Sequence, residues 1–193
     1  MNCRSLLLWF LWSSVLAAAT PEKYSYWVEP CTRAESGCQT DDPQLADWAF
    51  ETWQTASAKA LEFMRVKDPA HARIRLYWAS AEQGMYGEAR PIQVDGKRGA
   101  EVYVRPAPLR INDDRLLRDA IVYLTCLHET GHALGLPHTA AFEDIMYSFQ
   151  YGGDIPEYFG RYRRKLKSRD DIHKNAGLSD ADRKHLTEVI DAR

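Results

Sequence analysis

The stretch that most constrains this chain is His128-Glu129-Thr130-Gly131-His132-Ala133-Leu134-Gly135-Leu136-Pro137-His138. Residues four apart on an α-helix lie above one another on one face, so His128 and His132 can offer two imidazole nitrogens to a single metal ion. Glu129 follows the first histidine, where its carboxylate can reach a water at the ion without itself occupying a coordination position. Gly135 lets the backbone leave the helix through a conformation closed to residues with side chains, and Pro137 cannot continue a helix. The chain can therefore swing back and deliver His138 as a third ligand, with a fourth position left for water. Upstream, Leu116, Leu117, Ala120, Ile121, Leu124 and Leu127 give a continuous apolar face leading into His128, and Asp113 or Asp114 can cap the start of that helix.

Eight residues after His138 comes Met146, in Asp144-Ile145-Met146-Tyr147. The pattern H-E-x-x-H-x-x-G-x-x-H followed by a methionine turn resembles the metzincin signature, and the spacing is similar to that of the matrixins, the family of the matrix metalloproteinases. A bare H-E-x-x-H would leave a chance amphipathic helix as a serious competitor, whereas five fixed residues and a correctly placed methionine do not. The resemblance implies an α+β fold of metzincin type: a twisted mixed sheet with an antiparallel edge strand, a backing helix, an active-site helix and a C-terminal helix. It implies one catalytic zinc ion at His128, His132 and His138, Glu129 as general base, and Met146 as the apolar base beneath the site. Tyr147 follows the methionine directly, whereas metzincins with a zinc-binding tyrosine place it two residues on, so no tyrosine ligand is assigned. Between Met85 and Arg98 there is no histidine, and the only carboxylates are Glu88 and Asp95, so a second zinc or a calcium has no obvious ligands there.

The 193 residues carry a formal charge of −2, with 45% hydrophobic and 27% charged residues, the profile of a soluble globular protein. No basic excess points to nucleic acid as a partner. Met1 to Arg4 bears one positive charge, Leu6 to Leu16 is apolar, and Ala17-Ala18-Ala19 supplies the small residues that signal peptidases accept. This predicts an export signal over 1–19, cleaved after Ala19, and one catalytic domain over 20–193. The alternative, a transmembrane anchor, needs about 20 apolar residues, more than this run supplies. The expected location is extracellular or periplasmic, with no stable membrane anchor and a monomeric state.

Export places Cys31 and Cys38, which flank a short polar loop, in an oxidising compartment, so a local disulfide is expected. The alternative is a cysteine switch, a thiolate held on the open zinc position; too few residues precede the first helix for a folded prodomain, and the usual switch sequence is absent. Cys126, two residues before His128, reads as a buried free thiol.

Along the chain, Tyr24 to Glu29 alternates as a first strand. Asp41 or Asp42 caps a helix with Pro43 in its first turn, and its apolar spacing through Leu45, Trp48, Ala49, Trp53, Ala56, Ala60, Leu61 and Met64 predicts helix to about Val66. Ala72 to Ala79 alternates as a second strand. Gly96 and Gly99 mark a turn, and Glu101 to Arg105 forms a further strand. Tyr86 to Ile92 contains Pro91, which is tolerated mainly at a sheet edge. In matrixins a comparable segment is the edge strand to which extended substrate adds itself, so Gly87, Glu88, Ala89 and Arg90, continuing to Ile92, are the expected substrate ledge. After Met146, either Ser148 to Gly153 or Ile155 to Tyr158 can wall the pocket beyond the scissile bond. Arg161 to Arg169 is read as a solvated basic loop, and Leu178 to Asp182 caps a last helix through Ile190.

The expected function is a secreted zinc endopeptidase acting on protein or peptide. The alternatives are a zinc hydrolase of a non-protein substrate, because the cleft and not the motif chooses the substrate, and a non-catalytic peptide-binding module, which would have no need of Glu129.

Overall fold

The computed structural model describes residues 20–80, 86–106 and 114–193. The expected export signal, Met85 and Asp113 lie outside the described residues. Five strands, β1 (Glu22–Val28), β2 (Leu61–Arg65), β3 (Ile74–Trp78), β4 (Gly87–Val94) and β5 (Lys97–Val104), form one sheet in the order β2-β1-β3-β5-β4. Three of the pairings are parallel, and only β4, on one edge, runs antiparallel to its neighbour. This is the mixed sheet with an antiparallel edge strand that the sequence predicts.

Alternation along the strands puts Tyr24, Tyr26, Val28, Ile74, Leu76 and Trp78 on one buried face, joined by Val102 and Val104. Two helices cover that face, α1 (Asp42–Ala56) and α2 (Arg115–Leu134). Trp53 of α1 is fully buried, and its indole N–H donates to the Leu127 carbonyl at 3.0 Å and to Thr130 Oγ1 at 3.1 Å. The backing helix is thereby tied to the turns of α2 that carry His128 and His132.

The first helix is shorter than its apolar spacing predicts. It ends at Ala56; Ala58 and Lys59 then take positive φ of 50° and 75°, and Leu61–Arg65 is strand β2, parallel to β1. Five residues fit a period of two as well as one of 3.6, and tertiary contacts decide between them. Ser57 Oγ accepts the Leu61 N–H, Gln54 Oε1 accepts the Phe63 N–H at 2.8 Å, and the Phe63 ring packs on Tyr24 and Phe50. Met64, counted on the apolar stripe, is exposed.

The turn between β4 and β5 is also narrower than expected. Asp95 and Gly96, with φ of 51° and 71°, make it alone. Gly99 lies inside β5, where a Cβ would stand 2.3 Å from the Arg73 carbonyl oxygen, so glycine is required for the backbones to approach.

The basic run is not a solvated loop. It spans the end of α3 (Ile155–Arg163) and the turn into α4 (Asp170–Lys174). Arg163 Nε meets both oxygens of Asp114 at 3.0–3.1 Å, Arg164 pairs with Glu157, and Arg169 donates to Asp119 and to the Asp41 carbonyl. Beside them the buried Arg118 guanidinium clasps Asp42. Arg163 and Arg169 fasten α3 and α4 to the starts of α1 and α2, Arg118 ties α1 to α2, and the Arg164–Glu157 pair stays local to α3.

Cys31 and Cys38 form a disulfide, with Cα atoms 5.3 Å apart, and Cys126 is a buried free thiol whose pKa burial pushes well up. The last helix, α5 (Asp180–Asp191), starts in a capping box between Ser179 and Asp182. No described helix is long and apolar enough to cross a membrane.

Candidate active site

Helix α2 is capped by Asp114, whose side chain accepts the Leu117 N–H at 3.0 Å, and it ends at Gly135 with φ of 101°. The left-handed exit reverses the chain, as Gly135 and Pro137 predict, and brings His138 over the last turn of the helix. His138 Nε2 lies 3.2 Å from His128 Nε2 and 3.0 Å from His132 Nε2. All three ligand nitrogens fall within 4.8 Å of one another.

Two of the rings are fixed from behind. His128 Nδ1 donates to the Ile145 carbonyl at 2.6 Å, and His132 Nδ1 donates to the Leu136 carbonyl at 2.8 Å. A carbonyl only accepts, so the proton of each neutral ring sits on Nδ1 and the Nε2 lone pair faces the other imidazoles. Burial drives the His128 pKa down to about 3, helped by the neighbouring His132, and it lowers His132 and His138 as well. Neutral imidazoles with converging, unprotonated nitrogens are the donor set for zinc. Nitrogens bound about 2.0–2.1 Å from a tetrahedral ion lie roughly 3.3 Å apart, close to the spacing found. The residues present therefore fit the metal.

A second cluster, Cys31, Cys38 and Asp42, is already committed. Its sulfurs are joined to each other, and the Asp42 carboxylate is taken by Arg118 and by the Gln39 N–H.

Met146 is fully buried, and its sulfur lies so near Gly131 that a Cβ there would come within 2.5 Å of it. The methionine thus packs on the helical turn between His128 and His132. Its turn is held on both sides. Thr139, next to His138, donates its N–H to the Met146 carbonyl at 2.9 Å, and the buried Asp182 carboxylate accepts the Ile145 N–H at 2.8 Å. Asp182 was legible in the sequence only as part of a helix cap; its bond to the peptide that orients His128 depends on α5 docking there, for which the sequence carries no local signal. Tyr147 lines the same cavity as His128 and His138, and its hydroxyl is committed to the Gly152 carbonyl at 2.9 Å.

Glu129 faces a cavity of about 360 Å³ alongside His128 and His138. Burial raises its carboxyl to about 8, and the charge of Glu88 adds to the effect. A dication bound beside it would lower that value again. The backbone of β4 crosses directly over this carboxylate, since a Cβ on Gly87 would meet Glu129 Cγ at 2.6 Å. Both expected segments contribute to the pocket wall: Phe149 comes from the first and Ile155 and Tyr158 from the second, joined by Phe159 one position further along α3, opposite Leu124 of α2.

The Matrixin family profile matches residues 20–156, more than two thirds of the chain. The chain belongs to the matrixin family. The match runs from before β1 into the first turn of α3, so it takes in the sheet, both core helices, the three histidines and the methionine turn. Membership makes this matrixin a metalloprotease by family and implies zinc as its metal. No curated protein matches it.

Proposed function

We propose that this matrixin is a secreted, monomeric zinc endopeptidase, with a catalytic domain over residues 20–193 following an export signal over 1–19. The observation that carries the reading is the convergence of three neutral imidazole nitrogens beside a buried carboxylate, in a cleft bordered by an open sheet edge. His128, His132 and His138 hold the zinc, which when bound supplies Lewis acidity that polarises a carbonyl and acidifies water. Glu129 takes the proton of the attacking water and passes it to the leaving amine nitrogen. Met146 forms the apolar base under the histidines.

The register of the edge strand supports the substrate ledge through the backbone groups it leaves unpaired. Ala100 of β5 donates its N–H to Arg73, next to β3, so its neighbours Gly99 and Glu101 face β4 and pair there with Ile92 and Arg90. By alternation, Gly87, Ala89 and Pro91 turn their backbone groups to the open edge. Gly87 and Ala89 therefore offer free N–H and C=O groups to an extended peptide, the β-augmentation expected for Gly87 to Ile92. Leu124, Phe149, Tyr158 and Phe159 line the cavity next to Glu129 and suit a large apolar side chain. An edge that reads main chain favours peptide over a non-protein substrate.

The test is cleavage profiling of the purified mature protein on a mixed peptide library, with and without chelator. Metal-dependent cuts before large apolar residues are expected. Glu129→Ala should abolish them while zinc content stays near one ion per chain, because general-base catalysis is typically worth ~10²–10⁴ in rate. Ala89→Pro should reduce turnover without loss of zinc, since it removes an outward N–H and leaves the β4–β5 ladder intact. Parental cleavage by Glu129→Ala refutes the mechanism, and parental turnover by Ala89→Pro moves the ledge elsewhere.

A further inference from the structure

Behind the catalytic cavity lies a second one of about 480 Å³, between α3, the 174–179 segment and the start of α5. It shares Leu124 and Tyr158 with the catalytic cavity, so the two are separated by one wall. Four cationic side chains line it, Arg161, Lys165, Lys174 and Arg183, against one carboxylate, Glu143.

The basic run divides here according to partner. Arg163, Arg164 and Arg169 are neutralised by Asp114, Glu157 and Asp119. Arg161, by contrast, rests on the faces of Tyr158 and Phe142, with its guanidinium carbon 4.6 and 5.0 Å from the ring centroids, and makes no ion pair among the described residues. Lys165 and Arg183 likewise have no carboxylate within salt-bridge distance among the described residues, although Arg161 and Arg183 are both half-buried. Lys174 shares its charge with Asp171 at 3.3 Å. A guanidinium partly withdrawn from water and lacking a counter-charge is disfavoured unless an anion reaches it. The chain as a whole is slightly acidic, so this concentration of positive charge is local.

We propose that this cavity is a binding site for tetrahedral sulfur oxyanions that together bear about two negative charges, one inorganic sulfate dianion or a pair of singly charged sulfate-ester groups. Four cations set against Glu143, with Lys174 half-committed to Asp171, leave about two positive charges to be met, more than a single carboxylate supplies. Two guanidinium forks with two ammonium groups match an oxyanion that accepts from several sides. Two sources share this chemistry: free inorganic sulfate and the ester groups of a sulfated glycan.

The experiment titrates the zinc-loaded mature protein calorimetrically with sodium sulfate at constant ionic strength, and separately with a sulfated oligosaccharide. Lys165→Gln/Arg183→Gln removes two lining cations that make no ion pair among the described residues, so folding should be unaffected. Lys67→Gln/Lys167→Gln removes the same charge from exposed positions outside the cavity. One saturable sulfate site is expected in the parent and in the control, weakened about tenfold or more in the cavity variant, the scale of a lost charge-assisted hydrogen bond. Tighter binding of the oligosaccharide, lost in the same variant, identifies a glycan as the source; equal affinity per sulfate identifies the free anion. Absence of a saturable site in the parent, or equal weakening in both variants, overturns the proposal.

Discussion

Asp182 offers a sharp test of how the zinc site is held from a distance. Its carboxylate is fully buried and accepts the N–H groups of Ile145 and Ser179, each at 2.8 Å, with a longer contact of 3.4 Å to Met146. Ile145 in turn presents its carbonyl to His128 Nδ1. Asp182→Ala strips two donors of a charged acceptor and leaves the buried one, Ile145, without a partner. Hydrogen bonds to charged groups are worth about 1.5–3 kcal/mol each, and the Ser179 N–H can recover water, so a loss of about 3 kcal/mol is expected. That is a large share of the roughly 5–15 kcal/mol that holds a domain together. Urea unfolding of the chelator-treated protein measures it. A competitive zinc titration should show affinity falling about tenfold or more, the usual result of disturbing a residue that orients a ligand. Asp182→Asn, which keeps one acceptor oxygen, should fall between variant and parent. A stability loss under about 1 kcal/mol with unchanged zinc affinity would mean that the Ile145 peptide needs no anchor, and the reasoning would fail.

Three further outcomes are expected. His138→Ala should yield a zinc-poor, inactive protein, unlike zinc-loaded Glu129→Ala, because it removes one of three ligands; metal analysis after dialysis separates the two, and parental zinc retention would point to another third ligand. Replacing Cys31 and Cys38 by serine should cost about 2 kcal/mol in denaturant unfolding through the short loop they close, while Cys126 should resist thiol reagents until the protein unfolds; labelling of Cys126 in the native state would contradict its burial. Asp114→Ala should cost about 1 kcal/mol near neutral pH through loss of the α2 cap. Burial acts to raise the Asp114 pKa, but the Leu117 N–H and Arg163 outweigh it and leave the folded value lowered. Its stabilisation is therefore present above the unfolded value of about 3.9 and lost as pH falls through the folded one, so the gap between variant and parent should narrow at pH below about 4. An equal gap at acidic and neutral pH would show that the carboxylate charge plays no part.

The parts of the molecule legible in the sequence are those encoded by neighbouring residues. The histidine helix, its glycine exit, the Met146 turn, the edge strand around Pro91 and the Ser179 cap each depend on chemistry within a few positions. Leu61 to Arg65 reads as helix in the sequence because five residues satisfy two periodicities, and only contact with Tyr24 and Phe50 chooses between them. The basic run reads as a solvated loop for a related reason. Arg163 and Arg169 look solvated until the fold brings Asp114 and Asp119 to them from about fifty positions away. Asp182 belongs to the same class, since its partner Ile145 lies on another element. Gly99 carried a visible glycine signal, but a turn and a close backbone approach both call for that residue, and sequence alone does not separate them.

The outward row of backbone groups on β4 also bears on solubility. An uncovered strand is a template for another copy of the same strand, and a sheet that keeps one open risks edge-to-edge growth into aggregates. Pro91 limits this hazard. Its missing N–H falls in the outward row, so the accessible donors toward the strand's start end at Ala89. Glu88 and Arg90, joined at 2.7 Å, put a charge pair beside those donors on the solvent face of the sheet. Two neighbouring copies meeting edge to edge would have to bury both pairs close together while finding few donors to bond. The strand therefore admits a short guest segment but gives little purchase to a long one, and Pro91→Ala should bring earlier turbidity on concentration.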